Sequence, residues 1–162
     1  MNVYFSEDLI KKAIAKKITE CLTVTSGEDS VPPVIFADKI QEGAVEPFFL
    51  ILVVDVSQTN DLGSRFWRLY QMKVLYYVDE SDSDKITQLR VMGERLMGML
   101  DKIDVDYKKE NGIYYTRPLK CRKLHYQITE NVLNFFCNYK VRVRQELKPN
   151  TKMNVLDVRM ED

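Results

Sequence analysis

Residues 40–78 read IQEGAVEPFFLILVVDVSQTNDLGSRFWRLYQMKVLYYV, and this stretch decides the fold. After a turn at Gly43, residues 48–56 are apolar on both alternating faces except at Asp55, which is typical of a strand inside a sheet that is covered on both sides. A polar loop over 57–64 follows. From Tyr70 onward, apolar and polar residues mostly alternate, which indicates a second strand. Because the connection is short, the two strands are predicted to form a long antiparallel hairpin.

Two amphipathic helices lie before and after this hairpin in the sequence. The first is predicted to run from Ser6, whose hydroxyl is expected to cap it, to about Leu22. Its apolar residues recur at helical spacing. Its lysines are therefore expected to face mostly toward water: Lys11, Lys12, Lys16 and Lys17. An acidic turn over 79–84 precedes the second helix, which is predicted over residues 84–103.

The remaining segments predict a loop, a short strand and two further hairpins. Residues 25–30 are rich in turn-forming residues and are predicted to be a loop, before a short strand at 34–36. The further hairpins pair 107–109 with 113–116 around Asn111-Gly112, and 119–128 with 131–147 around Thr129-Glu130. Pro118 is expected to interrupt the first of them, because proline cannot donate a ladder hydrogen bond.

The order of these elements predicts an α/β protein of the α+β type. A mainly antiparallel sheet of long hairpin strands is expected to pack against the two amphipathic helices. The chain has 162 residues, 45% of them hydrophobic, which suits one well-filled core, so residues 1–162 are predicted to form a single domain. Residues 149–162 are expected to form a C-terminal extension that can dock as a short strand on a neighbour.

Composition excludes several classes of function. The 24 basic and 24 acidic residues cancel, so there is no overall attraction to nucleic acid or membranes. Three cysteines without a paired spacing, together with one histidine, predict free and mostly buried thiols and no bound cofactor or metal. The N-terminus lacks a signal peptide pattern, and the longest apolar run, 48–54, is too short for a membrane helix.

The candidate catalytic residues are few. Asp55, Gln71 and Lys73 resemble part of a magnesium-dependent nuclease core, in which carboxylates hold the ion and a lysine lies near the attacking water. A second carboxylate is missing where Gln71 stands. His125 is the only histidine, and Cys121 at an interval of four is expected to share its strand face, but two ligands do not make a zinc site. The chain is therefore not expected to be an enzyme.

A basic surface is the strongest local charge signal. Seven cations are expected on one sheet face if the last two strands pair: Arg117, Lys120, Arg122, Lys123, Lys140, Arg142 and Arg144. Such a surface is either a solvated face balanced by acidic loops, or a contact surface for an acidic neighbouring subunit or for DNA passing by.

The order and spacing of several motifs resemble the tail terminator (tail completion) proteins of long-tailed bacteriophages and phage-tail-like particles. The residues that carry the resemblance are Gln41-Glu42-Gly43, Pro47-Phe48-Phe49, Gly63, Arg65, and Met92 with Leu96. The resemblance covers most of the chain, and it is a pattern of order and spacing with no catalytic signature.

This resemblance implies a structural virion protein that forms a hexameric ring on the tail tube and stops its growth. Its implied partners are the tail tube protein, the head-side connector and, in contractile particles, the sheath; DNA is only a passing genome, and no membrane is involved. Synthesis is expected in the bacterial host cytoplasm. The residues expected to contact partners are Asn60, Asp61, Ser64, Arg65, Lys140, Arg142 and Arg144.

Three alternatives come from other classes. A head–tail connector or neck protein has the same size, neutrality and tendency to associate, and differs in its position in the particle. The nuclease-like domain requires magnesium-dependent cleavage through Asp55 and Lys73. A monomeric regulatory module does not associate at all.

Overall fold

A computed structural model describes residues 5–26, 28–109, 111–146 and 157–160. Within them, helix α1 spans Glu7–Leu22 and helix α2 spans Lys85–Met99. The strands are β1 Val24–Ser26, β2 Asp29–Val31, β3 Ile35–Ala37, β4 Phe48–Asn60, β5 Arg65–Tyr77, β6 Lys102–Lys108, β7 Tyr114–Thr129, β8 Val132–Glu146 and β9 Asp157–Met160.

One curled sheet organises the molecule. Its strand order is β3-β4-β5-β8-β7-β6, and β9 pairs with the end of β8. Only β3 and β4 are parallel neighbours among these described strands. The short strands β1 and β2 form a separate antiparallel pair, where the sequence predicted a loop. The predicted α+β class and single domain are confirmed.

The main core lies on one face of this sheet. Ile14 of α1 and Leu96 of α2 are fully buried there, against Met72 of β5 and Phe135 of β8. The prediction that β4 has cover on both sides is confirmed for residues 48–51, which are buried on both faces, and is wrong for residues 54–56, which are exposed. Aromatic side chains bury the first apolar residues on the outer face. There, the Phe48 ring lies 5.4 Å from that of Phe36 and 4.8 Å from that of Tyr77.

Helix α1 follows its prediction except at two residues. Ser6 is the N-cap in an extended conformation, but its hydroxyl makes no capping hydrogen bond. Lys11 was expected to face water and is only 5% exposed. Its ammonium lies 2.7 Å from Asp38 and within 3.6 Å of Glu7, so three carboxylates, with Asp8, compensate the buried charge. This cluster ties α1 to the end of β3.

The predicted hairpin of β4 and β5 is confirmed, but β4 is longer than predicted. Its pairing with β5 continues to Asn60, opposite Phe66, so the predicted loop 57–64 shrinks to 61–64. Backbone hydrogen bonds define a strand whatever the polarity of its side chains. Apolar patterning therefore located only the buried half of β4. Gly63 has a φ of 63°, a left-handed conformation that the tight turn requires of it.

The segment after α2 differs from its prediction. The helix ends at Met99, and β6 begins at Lys102, buries Ile103, Val105 and Tyr107, and exposes the residues between them. Burial of every second residue is the pattern of a strand. Ile103 was predicted to end the helix because it also fits the helical spacing of the apolar residues before it.

Strand β7 continues through Pro118, where an interruption was predicted. The backbone N of Cys121 donates to Asp101 O, and the backbone N of Lys109 donates to Ile113 O. Because hydrogen-bonded pairs alternate with non-bonded pairs along an antiparallel ladder, the odd-numbered residues of β7 are the ones bonded to β6. Pro118 lies opposite Asp104 at an even position, so no ladder bond between these strands is lost.

The last predicted hairpin, β7 with β8, is confirmed. Its turn residues Glu130 and Asn131 have φ values of 52° and 59°, as a two-residue type I′ turn requires. Leu147, the predicted end of the last strand, lies outside the described residues, as does most of the predicted extension 149–162. Within that extension, β9 pairs with Val143–Glu146 of the same chain.

Candidate interaction surface

The seven predicted contact residues come together at one end of the sheet, here called the hairpin end. Four lie at the turn between β4 and β5: Asn60, Asp61, Ser64 and Arg65. The other three lie on β8, which pairs with β5. Arg144 is opposite Arg65, Arg142 opposite Trp67, and Lys140 opposite Leu69. Alternate residues share a face, so Lys140, Arg142 and Arg144 point to the outer face of the sheet.

A charged and aromatic network braces the hairpin end. Arg142 donates from Nη2 and Nε to Asp61 Oδ2, at 2.6 Å and 2.9 Å. Both side chains are partly buried, at 32% and 22% exposure, which limits solvent screening of the pair. The Trp67 ring lies under two cations, with Lys140 Nζ at 4.7 Å and Arg142 Cζ at 5.6 Å from its centroid. The β4–β5 turn is thereby fastened to β8.

The far half of β4 is a long exposed edge. β3 pairs with Phe49, Leu50 and Ile51 only. Every residue over 54–60 is exposed, including Val54 and Val56. Among the described residues, no strand pairs with this edge of β4 beyond Ile51. A strand edge with exposed backbone and apolar side chains is a common site of contact between subunits.

The basic residues of β7 gather in a cleft beside β8. β7 pairs with β8 up to Cys121, opposite Tyr139, and its first half pairs with β6. The divergence opens a cleft of about 460 Å³, lined mainly by basic side chains. These are Arg117, Lys120, Arg122 and Lys140. This set is called the basic cleft below.

The prediction of a single basic sheet face is therefore wrong. The β7 cations lie where that strand bends away from β8, whereas Arg142 and Arg144 continue along the outer face beside β5. A bulge between Cys121 and Leu124, which includes Arg122 and Lys123, accompanies this bend. The cations share one end of the sheet without sharing one pleated surface.

The same bulge separates Cys121 from His125. Cys121 lies opposite Tyr139 on the core face, and His125 lies opposite Phe136 on the outer face, so the prediction that they share a face is wrong. The His125 ring stacks on Phe136 at 4.7 Å, and its Nδ1 is buried without a hydrogen-bond partner. Burial raises the pKa of the Cys121 thiol, which keeps it protonated at neutral pH.

The free state predicted for the thiols is confirmed. Cys21, Cys121 and Cys137 are unpaired, and the last two are buried.

The nuclease-like residues do not assemble a metal site in the described part of the chain. Asp55 lies opposite Gln71, and Lys73 lies opposite Leu52 with its ammonium 5.5 Å from the Phe136 ring. No group of three or more His, Cys, Asp or Glu side chains in the described ranges lies close enough to hold a metal ion. Neither α1 nor α2, the helices described, is long and apolar enough to cross a membrane.

Sequence reasoning missed Trp67 in the hairpin-end network, and although it named Asp61 as a contact residue, it did not predict the ion pair of Asp61 with Arg142. Trp67 is the platform for Lys140 and Arg142, and Asp61 is the ion-pair partner of Arg142. The signal for both is the register of β5 against β8, which places Trp67 opposite Arg142. These strands are far apart in sequence, so no turn in the sequence fixes that register.

Comparison with known proteins gives one informative match. Residues 9–151 match the family model described as phage tail terminator protein. No curated protein sequence matches the chain. One solved structure, of a protein whose name describes no function, aligns with 90% of this chain and 99% of its own, at a TM-score of 0.37 and 10% identity. Similarity at that level supports no conclusion. Because the family model covers most of the chain, the protein belongs to the phage tail terminator family, a family of structural proteins of tail completion.

Proposed function

We propose that this protein forms a hexameric ring on the end of the tail tube, stops tube growth and offers the head-side components their attachment surface. The observation that carries the proposal is the family match over residues 9–151. In a contractile particle the same ring also meets the sheath. The protein acts as a structural component of the virion tail, without catalysis of its own, after synthesis in the host cytoplasm.

The hairpin end has the physical properties that such a ring contact needs. The Asp61–Arg142 pair and the Trp67 platform hold the turn in place before any partner arrives. A surface that is already ordered loses less conformational entropy on binding. We propose that Asn60, Asp61, Ser64 and Arg65, with the three β8 cations 140, 142 and 144, contact a neighbouring subunit or the tube.

The exposed half of β4 supports association of copies. Val54 is 52% exposed and Val56 is 40% exposed on an edge that continues to Asn60. The formal net charge of zero removes long-range repulsion between identical copies. Genome DNA is proposed only to pass through the ring, since the chain carries no net basic charge to retain it.

An assembly assay tests the proposal. Purified tail tube protein from the same particle is allowed to polymerise with and without this protein, and tube lengths and tube ends are scored by electron microscopy. We expect shorter tubes with a ring at one end. An Arg65→Glu variant, altered at the hairpin end, is expected to cap less well than a Lys12→Glu control on the exposed face of α1.

Two results contradict the terminator role. The first is tubes of unchanged length with bare ends at every concentration of the protein. The second is rings that join purified heads but leave tube length unchanged, which would assign the protein to the head–tail connector instead.

A further inference from the structure

We propose that the basic cleft receives the acidic turn, residues 79–84, of a second copy of this chain, so that successive copies join head to tail. The inference rests on the proposed ring and names the surfaces that build it. The cleft is the binding site, and the turn is its ligand.

The basic cleft forms where β7 separates from β8. β8 continues past Tyr139 beside β5, whereas β7 bends away at Cys121 to pair with β6. The space between them has a volume of 460 Å³, and its lining holds four cations and no carboxylate. Lys140 is half-buried with its ammonium 4.7 Å from the centre of the Trp67 ring, so this charge is already positioned.

The acidic turn presents four carboxylates in a short, ordered segment: Asp79, Glu80, Asp82 and Asp84. Ser81 donates to Asp79 Oδ1 from its backbone N at 2.9 Å and from its hydroxyl at 2.8 Å. The Asp84 backbone N donates to Asp82 Oδ1 at 2.9 Å. These bonds fix the shape of the turn, and the Ser81 bonds lower the pKa of Asp79, which stays charged at neutral pH.

The two surfaces lie too far apart to meet within one molecule. Lys140 is opposite Leu69 on β5, and the acidic turn begins at Asp79, just beyond the other end of that strand. At about 3.3 Å per residue, this separation is about 30 Å. The basic cleft and the acidic turn therefore lie at opposite ends of the sheet.

Complementary patches at different places on one molecule give a heterologous contact. Such a contact joins the front of one copy to the back of the next, and it closes into a ring when the rotation between copies is right. Close charge pairs between subunits also fix the register of docking and exclude like-charged orientations. The chain supplies its own anionic partner for the cleft, which favours a second copy over an unrelated polyanion.

Charge reversal in the full-length protein tests the proposal. A turn variant carries Glu80→Lys and Asp84→Lys, and a cleft variant carries Lys120→Glu and Arg122→Glu. The matched controls reverse exposed charges elsewhere, Glu20→Lys with Glu28→Lys, and Lys12→Glu with Lys39→Glu. Assembly is measured by sedimentation velocity across protein and salt concentrations. We expect each test variant to weaken assembly by about tenfold or more, and the controls to assemble as wild type.

Mixing the two variants separates a specific contact from damage to the fold. Each variant loses the net charge of one surface and keeps the other surface as in the wild type: the turn variant keeps the basic cleft, and the cleft variant keeps the acidic turn. A 1:1 mixture is therefore expected to form heterodimers through this intact pair of surfaces, whereas neither variant associates to that extent alone. A mixture that stays dissociated overturns the proposal.

The remaining outcomes distinguish this inference from the proposed function. Wild-type rings that tolerate both sets of reversals overturn the inference and leave the ring intact. A wild-type chain that never assembles, alone or on tubes, overturns both. Loss of assembly in the cleft variant alone, with DNA binding by the wild-type cleft, overturns the inference in favour of a nucleic-acid partner.

Discussion

At the scale of single residues, Gly93 allows α2 to lie close to β7. A Cβ added at Gly93 would approach the Tyr126 ring to 2.9 Å, whereas one added at Gly98 of the same helix meets nothing within 4 Å. Gly93→Ala is therefore expected to lower the free energy of unfolding by about 1–2 kcal/mol through overpacking. Gly98→Ala is expected to raise it by about 0.5–1 kcal/mol, because alanine is the better helix former. Urea unfolding measures both, and changes of the same sign would contradict this packing.

Buried thiol and phenol groups make stability depend on alkaline pH. Burial raises the pKa of the Cys137 thiol and of the Tyr139 phenol well above their ordinary values. In the unfolded chain these groups ionise near pH 8.5 and about pH 10, so the native state then binds more protons than the unfolded state. Stability is expected to be full below about pH 8 and to fall above it, by up to about 1.4 kcal/mol per pH unit for each group.

The control for this pH dependence is Cys137→Ala, which removes the more acidic of the two groups. It is expected to flatten the loss of stability between about pH 8.5 and 10, although it lowers stability at every pH by leaving a cavity. Urea unfolding over this range measures the slope. An unchanged slope in the variant would show that Cys137 does not contribute to it.

At the scale of elements, the brace between the β4–β5 turn and β8 is the contact that can be tested most simply. Arg142→Lys keeps the charge but loses the two-nitrogen contact with Asp61. We expect faster amide exchange over 57–68 and a loss of stability of about 1 kcal/mol, a modest value because the pair is partly exposed. Arg144→Lys, on the exposed neighbouring position, is the control. Equal exchange in both variants would show that the brace does not order the turn.

The sequence predicts elements well where apolar side chains follow a regular pattern of burial. It predicts them poorly where only backbone hydrogen bonds to a neighbouring strand define the element. The buried half of β4 and the hairpin with β5 follow from apolar patterning, but Ser57–Asn60 is strand only because β5 lies beside it. Ile103 fits two periods, and its strand assignment requires β7 as a partner. Local patterns cannot express such nonlocal pairing.

The candidate interaction surface was likewise predicted in one part and missed in another. All seven predicted contact residues lie at the hairpin end, because turns and strand ends gather at the edges of a sheet. The basic cleft was not predictable, since it depends on a bulge after Cys121 and on the bend of β7. A bulge reverses which residues share a face, and here it moved His125 away from the face of Cys121.

At the scale of the whole molecule, two oppositely charged surfaces of a neutral chain lie at opposite ends of one sheet. The basic cleft and the cations at 142 and 144 lie toward one end, and the turn over 79–84 lies at the other. This arrangement suits a protein that must bind copies of itself in one direction. It also predicts that assembly weakens as salt rises, because exposed charges are screened over about 8–10 Å near physiological ionic strength. Sedimentation at increasing salt checks this, and assembly unaffected by salt would contradict it.

The most direct test of the terminator role is the length distribution of tail tubes in particles made without this protein. Electron microscopy of such particles is predicted to show tubes that exceed the wild-type length and vary widely, with normal length restored when the protein is supplied again. Tubes of wild-type length in its absence would contradict the central claim, whether or not those tails join to heads.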